Sequence, residues 1–125
     1  MRFTRVIPIL RIFDLTRARE FYCDFLGFTV SMEHRFEPGL PVYMAVERAG
    51  MELHLSEHHG DACPGSTVFV WMTGIHDFHT ELSARHYIYA RPGIEQRPWG
   101  QQLQVSDPFG NRIRFCERCA PTGAQ

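Results

Sequence analysis

Shifted by sixty residues, the chain falls on itself, and this repeat restricts its possible folds more than any other feature. Leu15 falls on Ile75 at the start of a helical pattern, and Ile7 falls on Thr67 in an apolar run. Leu53-His54-Leu55-Ser56-Glu57 falls on Ile113-Arg114-Phe115-Cys116-Glu117. Identity across the repeat is low, but the order of elements matches, which is the mark of a duplicated supersecondary unit.

The elements follow from local pattern. Residues 5–12, RVIPILRI, read as a strand of branched apolar residues. Asp14 or Thr16 caps a helix expected over 16–26, where Ala18, Phe21, Tyr22 and Phe25 recur at i, i+3, i+4, i+7. Gly27 stops it. Strands are expected at 28–36, 42–48 and 51–57, separated by turns at 37–41 and Ala49-Gly50. Past a linker of turn formers at 58–66 come a strand at 67–73 and a helix at 75–86, with Ile75, Phe78 and Leu82 on one face. A short strand and loop fill 87–98, and strands at 101–107 and 112–118 flank a D-P-F-G-N turn. Each half reads βαβββ, which predicts an α+β protein of two modules, about 5–58 and 66–118, within one domain spanning 1–125.

Composition excludes several classes of partner. Formal net charge is −1, so there is no basic excess for nucleic acid. The apolar N-terminal stretch is broken by Pro8 and Arg11, and no run approaches the ~18 apolar residues of a membrane span. The expectation is a cytoplasmic protein with neither nucleic-acid nor membrane partners. Four cysteines stand at 23, 63, 116 and 119. Cys116 and Cys119 have C-x-x-C spacing but lie at the chain end rather than opening a helix after a strand, and they read as incidental thiols.

The run P8-I-L-R-I-F-D-L-T-R-A-R-E-F-Y-C-D-F-L-G-F28 resembles the opening signature of the glyoxalase I / bleomycin resistance / extradiol dioxygenase (vicinal oxygen chelate) superfamily. The D-P-F-G-N-R-I-R-F run resembles that superfamily's second hallmark, a turn before the last strand. The resemblance extends over residues 5 to 118 and implies two βαβββ modules forming curved half-barrel sheets. It also implies a homodimer.

In metal-dependent relatives four inward positions hold the ion, and the motifs place these at Ile7, His54, Thr67 and Arg114. One imidazole beside an aliphatic chain, a hydroxyl and a guanidinium does not make a divalent site. The expectation is therefore no metal, no cofactor and no catalytic residue. A shift of the fourth strand by two would bring Glu52 to the position of His54, which keeps open a metal-dependent lyase or dioxygenase with a non-standard site. The Glu57-His58-His59 run and the His76/His79 pair read as solvated.

An emptied metal site leaves a binding groove, and residues 94–118 most resemble the bleomycin resistance branch. That resemblance implies sequestration of a planar, bleomycin-type (glycopeptide antibiotic) ligand at a dimer interface. It assigns stacking to Trp99 in the Pro-Trp-Gly turn, opposed by Phe36, with Trp71 at a further aromatic position. His54 and Arg114 are expected to line the groove, and Glu33 and Glu37 to attract a cationic ligand. Arg35, Arg97, Arg112 and Arg114 suit an anionic one instead. An accessory fold with an empty groove is the remaining alternative.

Overall fold

The computed structural model describes residues 1–119 and divides into two compact units. The first comprises Met1–Ser66 with Asp107–Asn111. It contains β1 (Ile9–Arg11), α1 (Leu15–Arg19), a π-helical turn (Glu20–Phe25), β2 (Thr29–His34), β3 (Tyr43–Arg48) and β4 (Met51–Ser56). The second unit contains β5 (Thr67–Trp71), α2 (Ile75–Ala84), β6 (Ile94–Arg97), β7 (Gly100–Ser106) and β8 (Arg112–Arg118). Each unit has one four-stranded mixed sheet, ordered β1-β4-β3-β2 and β5-β8-β7-β6. The α+β class and the βαβββ order of each half are as the repeat requires.

The repeat extends to register. Ile9 lies opposite His54 in the parallel pair of the first sheet, and Phe69 lies opposite Arg114 in the second. Both partners are sixty residues apart from their counterparts. β1 is shorter than the expected strand over 5–12, because pairing with β4 begins only where the Pro8 carbonyl accepts from His54 N–H.

Asp14 caps α1 through its Oδ1, which accepts from Arg17 N–H at 3.0 Å. The helix then widens, with Leu26 N–H donating to the Phe21 carbonyl, and closes at Gly27, whose φ is 80°. The predicted face survives the widening: Ala18, Phe21, Tyr22 and Phe25 are all buried, as are Leu10, Leu53, Leu55, Met44 and Val46 on the sheet. In the second unit Ile75 and Leu82 are buried, and Phe78 meets Phe115 edge-on at 4.9 Å.

The D-P-F-G-N turn connects β7 to β8, yet it packs into the first unit. Asp107 is the centre of this packing. Its Oδ1 accepts from the backbone N–H groups of Phe109 (2.9 Å) and Asn111 (2.8 Å). Its Oδ2 accepts from the Tyr22 hydroxyl (2.6 Å) and from Asn111 Nδ2 (2.9 Å). Asn111 Nδ2 also donates to the Arg11 carbonyl at the end of β1, and its Oδ1 accepts from Ser66 N–H. A buried carboxylate is tolerated when its lone pairs are filled in this way. The two runs that carry the sequence resemblance are thus one hydrogen-bonded cluster, with Tyr22 from the first and Asp107 from the second.

Burial, with the neighbouring Asp107 charge adding to it, pushes the Tyr22 phenol well above its ordinary range. The neutral phenol is therefore the form that folding favours, and its contribution is present below the ordinary phenol pKa and lost as pH rises through the raised one. Tyr22→Phe should leave Asp107 one donor short and lower unfolding free energy by about 1–3 kcal/mol at neutral pH. Urea denaturation followed by circular dichroism measures this.

Candidate functional site

Helix-bearing faces of both sheets are filled by core residues, so chemistry is confined to the opposite, open faces. On β5 the alternation of Val-Phe-Val-Trp turns Phe69 and Trp71 to the open face together. Each is 44% exposed, and their rings meet edge-on at 4.8 Å. The Arg118 guanidinium lies over the Trp71 ring, 3.9 Å from its centroid. One row across this sheet runs Trp71, Cys116, Gln102, Glu95, and the next runs Phe69, Arg114, Gln104.

Trp99 joins the first row from the Pro-Trp-Gly turn. Its Nε1–H donates to Gln102 Oε1 at 3.4 Å, and half of the side chain remains exposed, 50%. Gly100 is required here. A Cβ at this position would stand 2.2 Å from the Glu117 carbonyl oxygen of the neighbouring strand. Glycine alone lets β7 begin this close to β8, and so sets where the preceding indole lies. Beside it, Arg114 Nε donates to Gln104 Oε1 at 2.9 Å. Trp71, Trp99 and Arg114 are therefore brought onto one face of one sheet.

The first unit holds a different open-face group. The Ala49-Gly50 turn, with φ of 50° and 91°, fixes a two-residue hairpin between β3 and β4. That register places Tyr43 diagonally from His54. The Tyr43 hydroxyl is hydrogen-bonded to His54 Nδ1 at 2.6 Å, and His54 Nε2–H donates to Glu52 Oε2 at 2.8 Å, since the carboxylate can only accept. Arg5 Nη2 donates to the other Glu52 oxygen at 2.8 Å. The His54 hydrogen bond, then the Arg5 charge, hold the Glu52 carboxyl below its usual range against the opposing effect of burial. Burial and the Asp61 charge push the Tyr43 phenol up, which favours its protonated form. A hollow of about 480 Å³ beside this group is lined by Arg5, Glu47, Arg48 and Glu52 and presents no aromatic face.

Phe36 lies in the loop after β2, 71% exposed, with His34 edge-on at 4.5 Å and His58 at 6.3 Å. Glu33 is not with it. The sheet register slips between Val30 and Met32, so Glu33 falls opposite Met44, a core position, and pairs with Arg19 of α1. The bulge inverts the alternation that would otherwise have carried Glu33 to the open face with Thr29. Glu33 is therefore an ion-pair partner of Arg19 on the helix-bearing side of the sheet.

The metal positions were tested by unit. In the first, His54 has both ring nitrogens engaged and its counterpart Ile7 offers no donor. In the second, Thr67 stands opposite Arg112, and Arg114 is a guanidinium bonded to Gln104, so neither expected position supplies an anionic or imidazole donor. Among the described residues, no three His, Cys, Asp or Glu side chains converge on one point. This donor set does not fit a divalent cation.

A family model for glyoxalase superfamily proteins matches residues 1–122. The chain belongs to the glyoxalase superfamily. Bleomycin resistance proteins of Geobacillus stearothermophilus and Staphylococcus aureus are 26% identical to this superfamily member over 131 residues, covering 90% of this chain and 95% of theirs. Among solved structures, a bleomycin-binding protein of Streptomyces verticillus in complex with copper(II)-bleomycin is 25% identical, with a TM-score of 0.71 over 94% of this chain and 98% of that one. An antibiotic binding protein from Streptomyces sp. CB03234 shares the fold, with 20% identity and a TM-score of 0.73 over 95% and 99% of the two chains.

Sequence reasoning passed over four participants. Phe69 was legible in the Val-Phe-Val-Trp alternation, and Tyr43 in the hairpin register. Gln102 and Arg118 are recognisable only once β8 is paired on both sides. Cys116 is buried beneath this face and Cys119 is exposed, and both are free thiols. His76 hydrogen-bonds Gln101.

The lowered Glu52 pKa carries a pH signature. Its stabilisation is complete above the ordinary carboxylate range and is lost as pH falls through the lowered pKa. Glu52→Gln should lower the thermal midpoint at pH 7, and the gap to the parent protein should close on acidification. Thermal melts at stepped pH values measure that gap. Gly100→Ala should destabilise by roughly 1–3 kcal/mol, since the added methyl meets backbone rather than a movable side chain. Chemical denaturation reads the loss.

Proposed function

We propose that this chain is a metal-free binding protein that sequesters a planar small molecule without transforming it, with bleomycin-type glycopeptides as the reference ligand class. The observation that carries this reading is the pair of half-exposed indoles, Trp71 and Trp99, on one open sheet face with hydrogen-bonding side chains between them. Indole faces stack planar ligands for about 0.5–1.5 kcal/mol beyond simple burial. Solvent-exposed aromatics concentrated on one face are the usual mark of a ligand surface. The bleomycin resistance relatives and the bleomycin complex of the Streptomyces verticillus protein support the same reading. The groove is proposed to form where two copies associate, which makes the protein a homodimer. Phe36 and His54 of the first unit are assigned to its lining, and the chain is assigned to the cytoplasm as a single domain.

Tyr43, His54 and Glu52 form a hydrogen-bonded series, and burial favours the protonated, non-nucleophilic form of the Tyr43 phenol. Elemental analysis of dialysed protein should return divalent metal well below one ion per chain. A stoichiometric ion would favour the lyase or dioxygenase alternative. Tryptophan fluorescence titrated with bleomycin and with neutral planar aromatics should show saturable quenching by at least one of them, at concentrations on the order of tens of micromolar. Trp99→Ala should weaken that binding roughly tenfold. Absence of saturable quenching across the panel would overturn the reading.

A further inference from the structure

We propose that the open face of the second unit selects planar aromatic anions, with Arg114 and Arg118 as the specificity-determining residues; this rests on the binding reading of the same face. Strand β8 turns Arg112, Arg114 and Arg118 to the open side while Ile113 and Phe115 enter the core. The carboxylate of the same strand points the other way: Glu117 Oε1 accepts from Gly74 and Ile75 N–H at the start of α2. Glu95 on β6 does reach this face, but it is held by Arg97 at 3.0 Å. Among the described residues, Arg112, Arg114 and Arg118 have no carboxylate partner. A chain with 13 basic and 14 acidic residues thus sets three uncompensated cations on one strand.

The chain has no lysine, so all 13 of its permanently charged cations are arginines, and this matters to the chemistry. A guanidinium is weakly hydrated and presents a planar fork of donors that matches a carboxylate. Arg114 is pinned by its Nε bond to Gln104, which leaves both terminal nitrogens without a partner among the described residues. The Arg118 guanidinium carbon lies over the Trp71 ring, 3.9 Å from its centroid, at the border of the same aromatic surface. Position also fits. Trp99 bonds Gln102, which pairs with Cys116, and Arg114 and Arg118 lie two residues to either side of Cys116 on β8. That is about 7 Å along a strand, within reach of an acid group on a ring stacked against the Trp99 indole. A cationic planar ligand would meet the same guanidiniums, and Glu33, one of the two carboxylates expected to attract it, is paired with Arg19 in the first unit.

Three probes of one shape separate the possibilities: anthracenecarboxylate, anthracenemethanol and anthracenylmethylammonium, titrated into the protein by tryptophan fluorescence. The carboxylate should bind about tenfold tighter than the alcohol, and the ammonium weakest. Arg114→Gln and Arg118→Gln should each weaken the carboxylate by roughly fivefold to tenfold and change the alcohol by less than about twofold. Arg114→Lys, which keeps the charge without the fork, should retain part of the preference. Alcohol binding as tight as carboxylate binding, or a preference for the ammonium, overturns the inference and leaves the binding reading standing. Saturable binding of none of the three overturns both.

Discussion

The Asp107 carboxylate is the constraint around which the first unit is organised. It receives four donors, two from its own turn, one from the Asn111 side chain and one from Tyr22. A buried charge with any of these missing would lose part of the compensation for its desolvation. The requirement therefore falls on all of them together: on the widened helical turn that aims Tyr22, on the Asn111 amide that ties the end of β1, and on Gly110, whose φ of 90° lets the turn close. It accounts for the distance in sequence between the two runs that mark the superfamily. They are far apart along the chain because they are the two ends of one hydrogen-bonded group.

Secured in this way, each sheet has one face committed to packing and one face left for chemistry. The same register appears in both, Ile9 opposite His54 and Phe69 opposite Arg114, but the residues at these positions have diverged. In the first unit they make a polar network in which Arg5, Glu52, His54 and Tyr43 satisfy one another. In the second they make an aromatic surface bordered by guanidiniums. In the first unit the His54 ring is engaged by Tyr43 and Glu52, and in the second the Arg114 guanidinium by Gln104. What a superfamily fold offers here is a stable open face, and what the side chains put on it decides its use.

Much of this was legible in the sequence, for physical reasons that can be named. The helix face of Ala18, Phe21, Tyr22 and Phe25 was readable because four apolar residues at helical spacing have one way to be buried. The equivalence of the two halves was readable from the sixty-residue repeat, whereas the residues that stand opposite one another in the parallel pairs are set by hydrogen bonding between strands and were not. The pairing of Glu33 with Arg19 was not readable, because a bulge is a tertiary choice that inverts every later position in the strand and leaves no local mark. The location of the D-P-F-G-N turn within the first unit was likewise invisible, since it depends on partners 85 residues away. Trp71 was readable as aromatic but not as exposed: strand residues among apolar neighbours look like core until the sheet's covered face is known.

The central claim is that the aromatic face of the second sheet binds a planar ligand and does no chemistry on it. Chemical-shift mapping with an isotopically labelled protein tests it most directly. On addition of a planar aromatic ligand, the indole N–H signals of Trp71 and Trp99 should shift together with Gln102 and Arg114 Nε–H, and the ligand should be recovered unchanged. Shifts confined to the helix-bearing faces, or conversion of the ligand to a new species, would contradict the account.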